Sequence, residues 1–136
     1  MVPAFVLDCS VAISWLMPDE SSNLSLLDLV TEKGAVVPSL WKLEVGNVLL
    51  IAERKKRITI EQRQRALHIL EELPISIDIM TSDYAWLETM EIAGQYDLTI
   101  YDASYLELAL RRSLPLATFD NLLKQAARSA GVHIRE

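Results

Sequence analysis

Four carboxylates, Asp8, Glu44, Asp102 and Asp120, stand in surroundings that solvated acids do not usually occupy. Asp8 ends the apolar run Phe5-Val6-Leu7, whose composition predicts a strand buried on both faces of a parallel sheet. An acid at the carboxyl end of such a strand lies on the edge where open α/β sheets bind ligands; capping the helix that starts near Ser10 is the plain alternative. Asp120 follows the run Leu116 to Phe119 in the same way. Glu44, at 100° per residue, falls within the arc of Leu40, Trp41, Val48 and Ile51, inside an apolar helical stripe. Burying an isolated ionised carboxylate is costly, so this Glu either has a task or is paired or snorkelling. Asp102 shares a face with Leu106 and Ala109 and sits in a first helical turn, where it is also an ordinary partner of the helix dipole.

Two strand-end aspartates on one parallel sheet share an edge, and helices that follow strands begin there. Glu44 is thereby brought toward Asp8 and Asp120, and Asp102 joins them if its helix starts at the same edge. Converging carboxylates raise one another's pKa unless a cation neutralises them. No His or Cys cluster accompanies them, so ligation by oxygen favours Mg²⁺ or Mn²⁺ over zinc. Ions ringed by acids commonly serve phosphoryl transfer, activating a water and stabilising charge on the phosphate.

The elements that must position these acids follow from periodicity and punctuation. Strands are expected at Phe5–Leu7, Ala35–Val37, Ile75–Ile79, Pro115–Phe119 and Val132–Ile134, the third at an edge because it alternates strictly. Helices are expected from Ser10 to Met17, stopped by Pro18, and from about Asn23 to Lys33, capped by Ser21 or Ser22 and closed by Gly34. A long helix runs from Ser39 to about Lys56. The next starts at the capping box Thr59 to Gln62 and reaches Leu73. Others span Asp83 to Ala93 (capped by Ser82, closed by Gly94), Tyr101 to Arg112 and Asn121 to Ala130. Strands alternating with helices mean crossover connections, hence an α/β domain: a mostly parallel central sheet of about five strands flanked by helices in three layers.

Bulk properties narrow the function. The 136 residues are 51% hydrophobic and 24% charged, an ordinary globular balance, and one domain over residues 1–136 is expected. No apolar run reaches the ~18 residues that span a bilayer. The start, Met1-Val2-Pro3-Ala4, lacks a basic leader, so a cytoplasmic protein with no membrane partner is expected. The lone Cys9 excludes a disulfide framework and fits a reduced compartment. The formal charge of −6, from 13 basic and 19 acidic residues, argues against a general nucleic-acid coat. It leaves room for RNA phosphates if the acids gather around a cation while bases such as Arg54-Lys55-Lys56-Arg57 group elsewhere.

The ordered runs Val6-Leu7-Asp8-Cys9-Ser10, Pro38-Ser39-Leu40-Trp41-Lys42-Leu43-Glu44-Val45-Gly46-Asn47-Val48-Leu49, Leu98-Thr99-Ile100-Tyr101-Asp102-Ala103-Ser104-Tyr105-Leu106 and Leu116-Ala117-Thr118-Phe119-Asp120 resemble a PIN domain, more narrowly the VapC-type toxins of toxin-antitoxin pairs. The resemblance covers essentially the whole chain. It implies a metal-dependent endoribonuclease of a type II pair, with Asp8, Glu44, Asp102 and Asp120 around Mg²⁺ or Mn²⁺. Ser10 and Thr118 match the small hydroxyl positions that support such a site. It also implies an RNA substrate, a cognate VapB-type antitoxin whose tail lies in a groove near the acids, and a homodimer. The apolar residues that wrap most of the Ser39–Lys56 helix, among them Leu43, Leu50 and Ile51, also point to cover by a second chain.

Other readings stay open. A PIN-type nuclease acting in RNA processing without an antitoxin would carry the same acids. A receiver-like phosphate-binding domain also places acids at strand ends, but needs a paired acid beside Asp8 and a late lysine, which Cys9 and Asn121 fit poorly. A phosphatase with an Asp-x-Asp nucleophile is excluded by Ser10. Asp97 reads as a turn acid, His68 and His133 have no catalytic partner in sequence, and Trp15, Trp41 and Trp86 read as core or interface anchors.

Overall fold

The structure is a computed structural model that describes residues 2–18 and 24–136. The expected caps Ser21 and Ser22, the helix start at Asn23 and the loop acids Asp19 and Glu20 lie outside the described residues.

In chain order the elements are β1 (Val6–Leu7), α1 (Cys9–Ser14), α2 (Leu24–Lys33), β2 (Ala35–Pro38), α3 (Trp41–Arg54), α4 (Ile60–Glu72) and β3 (Ile75–Asp78). They continue with α5 (Thr81–Tyr84), a π-helical turn (Ala85–Thr89), α6 (Met90–Tyr96), α7 (Ile100–Arg112), β4 (Leu116–Ala117) and α8 (Asn121–Ser129). The strands form one parallel sheet in the order β3-β2-β1-β4. Val6 lies opposite Val36 on one side and Leu116 on the other, and Pro38 lies opposite Asp78 at the carboxyl edge. Phe5, Val6, Leu7, Val36, Val37, Leu116 and Ala117 are all buried, which explains why these strands read as continuous apolar runs. β3, the alternating strand, is at the edge as expected.

The chain leaves β1 for β2 and β3 on one side, then returns to place β4 on the other side of β1. The crevice between the carboxyl ends of β1 and β4 is therefore a topological switch point, where doubly wound sheets bind ligands. Asp8 and Asp120 follow these two strands.

Several expectations need correction. The sheet has four strands, not about five. The segment 132–134 contributes a single bridge from Ile134 to Leu116, because β4 is two residues long and offers no longer ladder. α1 stops at Ser14, well before Pro18, as Leu16 and Met17 turn back onto the Ile13 carbonyl. Gly34 closes α2 with φ of 80°, as its lack of a Cβ allows. Gly94 does not close its helix. α6 runs on to Tyr96, and Asp97 takes the left-handed conformation, φ 54°, which a short polar side chain tolerates. The capping box at Thr59 and Gln62 forms as expected. α7 starts at Ile100, one residue early, because Thr99 caps it by accepting from the Asp102 amide at 3.1 Å.

α7 packs across β1, β2 and β4 and brings a wholly buried run, Ala103 to Ala109, into the core. One of its core positions, Glu107, is charged. Glu107 and, across from it, Asp78 at the end of β3 are both buried, and Arg111 joins them. The guanidinium is bidentate to Asp78 at 2.6 and 3.1 Å, reaches Glu107 at 2.7 and 3.1 Å, and lies over the Tyr84 ring at 4.4 Å. This clamp ties α7 to the edge strand and to α5.

Candidate active site

Asp8 directly follows β1 and is 7% exposed, so its environment is set by the sheet rather than by solvent. It does not cap α1: its Oδ2 instead accepts from Ser10 Oγ at 2.8 Å and from Thr118 Oγ1 at 2.6 Å. The second bond crosses the switch point from the end of β4 to the end of β1. The hydroxyls continue outward, Ser10 Oγ accepting from the Phe119 amide and Thr118 Oγ1 from the Asp120 amide. Ser10 and Thr118 thus hold Asp8 and the turn carrying Asp120 in one network.

Asp120 does serve as a cap. Its Oδ1 accepts from the amides of Leu122 and Leu123 at 2.9 and 3.2 Å, which orients the carboxylate and satisfies the first turn of α8. Glu44, in the first turn of α3, is half-buried beside the stripe Trp41, Val45, Leu49 and Ala52. Its Oε1 accepts from the Tyr105 hydroxyl of α7. Tyr105 is fully buried and lies three residues after Asp102, so both face the same way on α7. That spacing was the available signal for Tyr105, which sequence reasoning missed. The Glu107–Arg111 spacing of four likewise announced half of the clamp, but nothing in sequence announced Asp78.

The four acids feel one another. Burial pushes Asp8 above the usual carboxylate range, outweighing the Thr118 and Ser10 hydroxyls and the Cys9 amide, and the charge of Asp120 adds to the rise. Glu44 is also raised, first by burial and then by Asp8 and Asp102, against the lowering hydrogen bond from Tyr105. Asp102 is raised by burial, then by Asp120 and Asp8, with the Thr99 hydroxyl opposing. Asp8, Asp102 and Asp120 are thus each near enough to disfavour the ionisation of another of the four. Among the described residues, however, no group of three or more His, Cys, Asp or Glu side chains is gathered tightly enough to enclose a metal ion as it stands. The arrangement is an electrostatic convergence on one sheet edge.

The donor set suits a hard cation. All four side chains offer carboxylate oxygens, and Mg²⁺ takes one or two protein carboxylates while keeping several of its waters. Cys9 offers no competing thiolate, since burial and the charges of Asp8 and Glu44 push its thiol up to about 12.

Other singled-out residues stand apart from the acids. His68 faces Glu72 in solvent at 3.9 Å, and His133 is exposed. Arg54 begins the basic run at the far end of α3, ten residues or about 15 Å along the axis from Glu44. Trp41 is core and Trp15 half-buried, but Trp86 is 87% exposed and is no core anchor. A cavity of about 300 Å³ between α3, α4 and β3 includes none of the four acids in its lining.

Comparison with known proteins bears on the family and the fold. A family model for the PIN domain matches residues 5–129. Ribonuclease VapC1 of Mycobacterium tuberculosis is 31% identical over 121 residues, covering 89% of this chain and 89% of that protein. The crystal structure of PAE2754 from Pyrobaculum aerophilum shares the fold with a TM-score of 0.72 at 22% identity, over 97% of this chain and 83% of that one. FitAcB from Neisseria gonorrhoeae does so with a TM-score of 0.65 at 16% identity, over 97% and 96%.

Proposed function

The chain belongs to the PIN-domain family, and from that premise we propose that it is a Mg²⁺- or Mn²⁺-dependent endoribonuclease, the toxin of a type II toxin-antitoxin pair. The observation that carries the reading is the bridge at the switch point: Thr118 Oγ1 to Asp8 Oδ2 at 2.6 Å, with Asp120 and Glu44 close enough to couple to Asp8. A buried carboxylate braced by two hydroxyls and surrounded by like charge is an expensive arrangement unless a cation is to be held. The relation to a protein named ribonuclease VapC1 supports RNA as the substrate, and the VapB-type antitoxin is the partner that the resemblance to VapC-type toxins implies.

Asp8, Glu44, Asp102 and Asp120 would hold the ion, which when bound supplies Lewis-acid stabilisation of charge on the scissile phosphate and makes a nearby water more acidic. Ser10 and Thr118 fix the direction of the Asp8 carboxylate. Tyr105 fixes Glu44 by occupying Oε1. Glu44 or Asp102 would also orient the attacking water and take its proton. In the reaction the water oxygen forms a new P–O bond as one phosphodiester P–O bond breaks, and the leaving oxygen takes a proton from solvent water.

The deciding experiment is cleavage of a structured RNA by the purified protein with Mg²⁺ or Mn²⁺. Asp8→Asn and Asp102→Asn should each lower the rate by at least a hundredfold at equal folded content. Wild-type cleavage that persists undiminished in EDTA would overturn metal dependence. The antitoxin partner is tested by the neighbouring reading frame and by growth: expression alone should arrest growth, and Asp120→Ala should relieve the arrest. Without an antitoxin gene beside it, a processing nuclease is the reading that remains.

The same proposal includes a homodimer. On α3, Leu43, Leu50 and Ile51 are 79%, 38% and 40% exposed, so the chain alone does not cover the apolar residues that wrap this helix.

A further inference from the structure

We propose that a small cavity beside the first turn of α7 seats one unpaired nucleobase of the RNA next to the cleaved bond, an inference that rests on the ribonuclease reading above. The cavity, of about 200 Å³, is walled by Leu40, Ala85 and Ile100 and carries Thr89, Ser104 and Tyr101 in its lining. Two of its lining residues share helical turns with acids of the site: Tyr101 immediately precedes Asp102 on α7, and the Leu40 carbonyl accepts from the Glu44 amide at 3.0 Å in the first turn of α3.

Its chemistry is that of a base-reading site. Thr89 is 2% exposed, yet its Oγ1 has no hydrogen-bond partner. A buried hydroxyl left unsatisfied is rare enough to need a reason, and this one closes the π-helical turn Ala85–Thr89, a form of backbone that gathers at functional sites. Ser104 Oγ donates to the Tyr101 carbonyl at 2.6 Å and keeps its lone pairs as acceptors. Thr81 and Ser82 add hydroxyls to the lining, Thr81 Oγ1 accepting from the Ser39 amide at 3.0 Å. Donors and acceptors are therefore offered together between apolar walls. Tyr101, 62% exposed, presents a ring at the rim on which a base can stack.

Size and charge narrow the ligand. At about 30 Å³ per water the cavity holds roughly six to seven waters, the scale of one heterocycle and not of a base pair. The lining holds no Lys or Arg to pair with a phosphate, so the group that enters is neutral. Unpaired bases splayed onto aromatic side chains are the usual targets of sequence-specific RNA recognition. The enzyme should therefore choose its cut by one base in single-stranded RNA.

The test uses the full chain and a library of RNA hairpins with a randomised loop, cleaved in Mn²⁺ and sequenced at the cut. Wild type should favour one base beside the cut at least fivefold. Thr89→Val, which removes only the unpartnered hydroxyl, should flatten or switch that preference. Tyr101→Leu should raise KM about tenfold, the scale of a lost base stack, while Tyr101→Phe restores it. In EDTA, the uncharged nucleoside of the favoured base should shift the amide resonances of Thr89 and Tyr101. Efficient cleavage with the same base preference in wild type, Thr89→Val and Tyr101→Leu would overturn this inference and leave the ribonuclease reading intact. No cleavage by wild type at saturating Mn²⁺ would overturn both.

Discussion

Asp8 shows at the scale of one residue how a site is held against its own stability. In the folded chain its pKa lies above the ordinary 3.8, so the fold binds the Asp8 proton more tightly than the unfolded chain does. Metal-free stability therefore falls as pH rises from that ordinary value through the raised one. Asp8→Asn should raise the metal-free melting temperature at pH 7. Wild type should gain about 2.7 kcal/mol from Mn²⁺ at roughly 100 times its dissociation constant, and Asp8→Asn should lose most of that gain. Thermal melts with and without Mn²⁺ check both halves. A full Mn²⁺ response in Asp8→Asn would remove Asp8 from the ligand set. The Cys9 amide belongs to this network through its hydrogen bond to Asp8, whereas His68 stands apart in solvent beside Glu72.

The α7 helix is the element on which the site depends. It supplies Asp102 and Tyr105 from its first half, and its second half is anchored by the Arg111 clamp to Asp78 and Glu107. Burial raises Asp78, but the hydrogen bonds and charge of Arg111, with Thr81 and the Met80 amide, outweigh it and hold the carboxyl below its usual range. A depressed carboxylate contributes stability that is present above its unfolded pKa and is lost as pH falls through the folded one. Arg111→Met leaves two buried carboxylates unpaired and should cost about 3–5 kcal/mol at pH 7, a difference that shrinks once Asp78 protonates in strong acid. Urea unfolding at pH 7 and at pH 3 measures this. An equal loss at both pH values would mean that packing, not the ion pair, is what the substitution removed.

For the whole molecule the open question is assembly. Leu43, Leu50 and Ile51 lie on one exposed side of α3, and a two-fold contact through that face is the commonest way for a chain to cover such residues. Sedimentation at micromolar concentration should show a dimer, and Leu50→Glu should shift it to monomer with little change in the melting of the isolated fold. A strict monomer for both proteins would leave the α3 face without this role. Among the described residues no helix is long and apolar enough to cross a membrane.

Local chemistry made much of this legible in the residues alone. Continuous apolar runs announced the buried parallel strands, strict alternation placed β3 at the edge, and Thr59 with Gln62 announced the start of α4, because burial and capping act within a few residues. The placement of Asp8 and Asp120 after two strands of one parallel sheet pointed to a shared edge for the same reason. What local signals cannot reach is which strands become neighbours. Only the return of β4 to the side of β1 creates the switch point and lets Thr118 grip Asp8 across 110 positions of sequence. The pairing of Tyr105 with Glu44 and of Arg111 with Asp78 was likewise decided by packing α7 across the sheet. The π-turn, the left-handed Asp97 and the short β4 that limits the sheet to four strands also belong to tertiary structure, since each is a local preference overruled by the contacts around it.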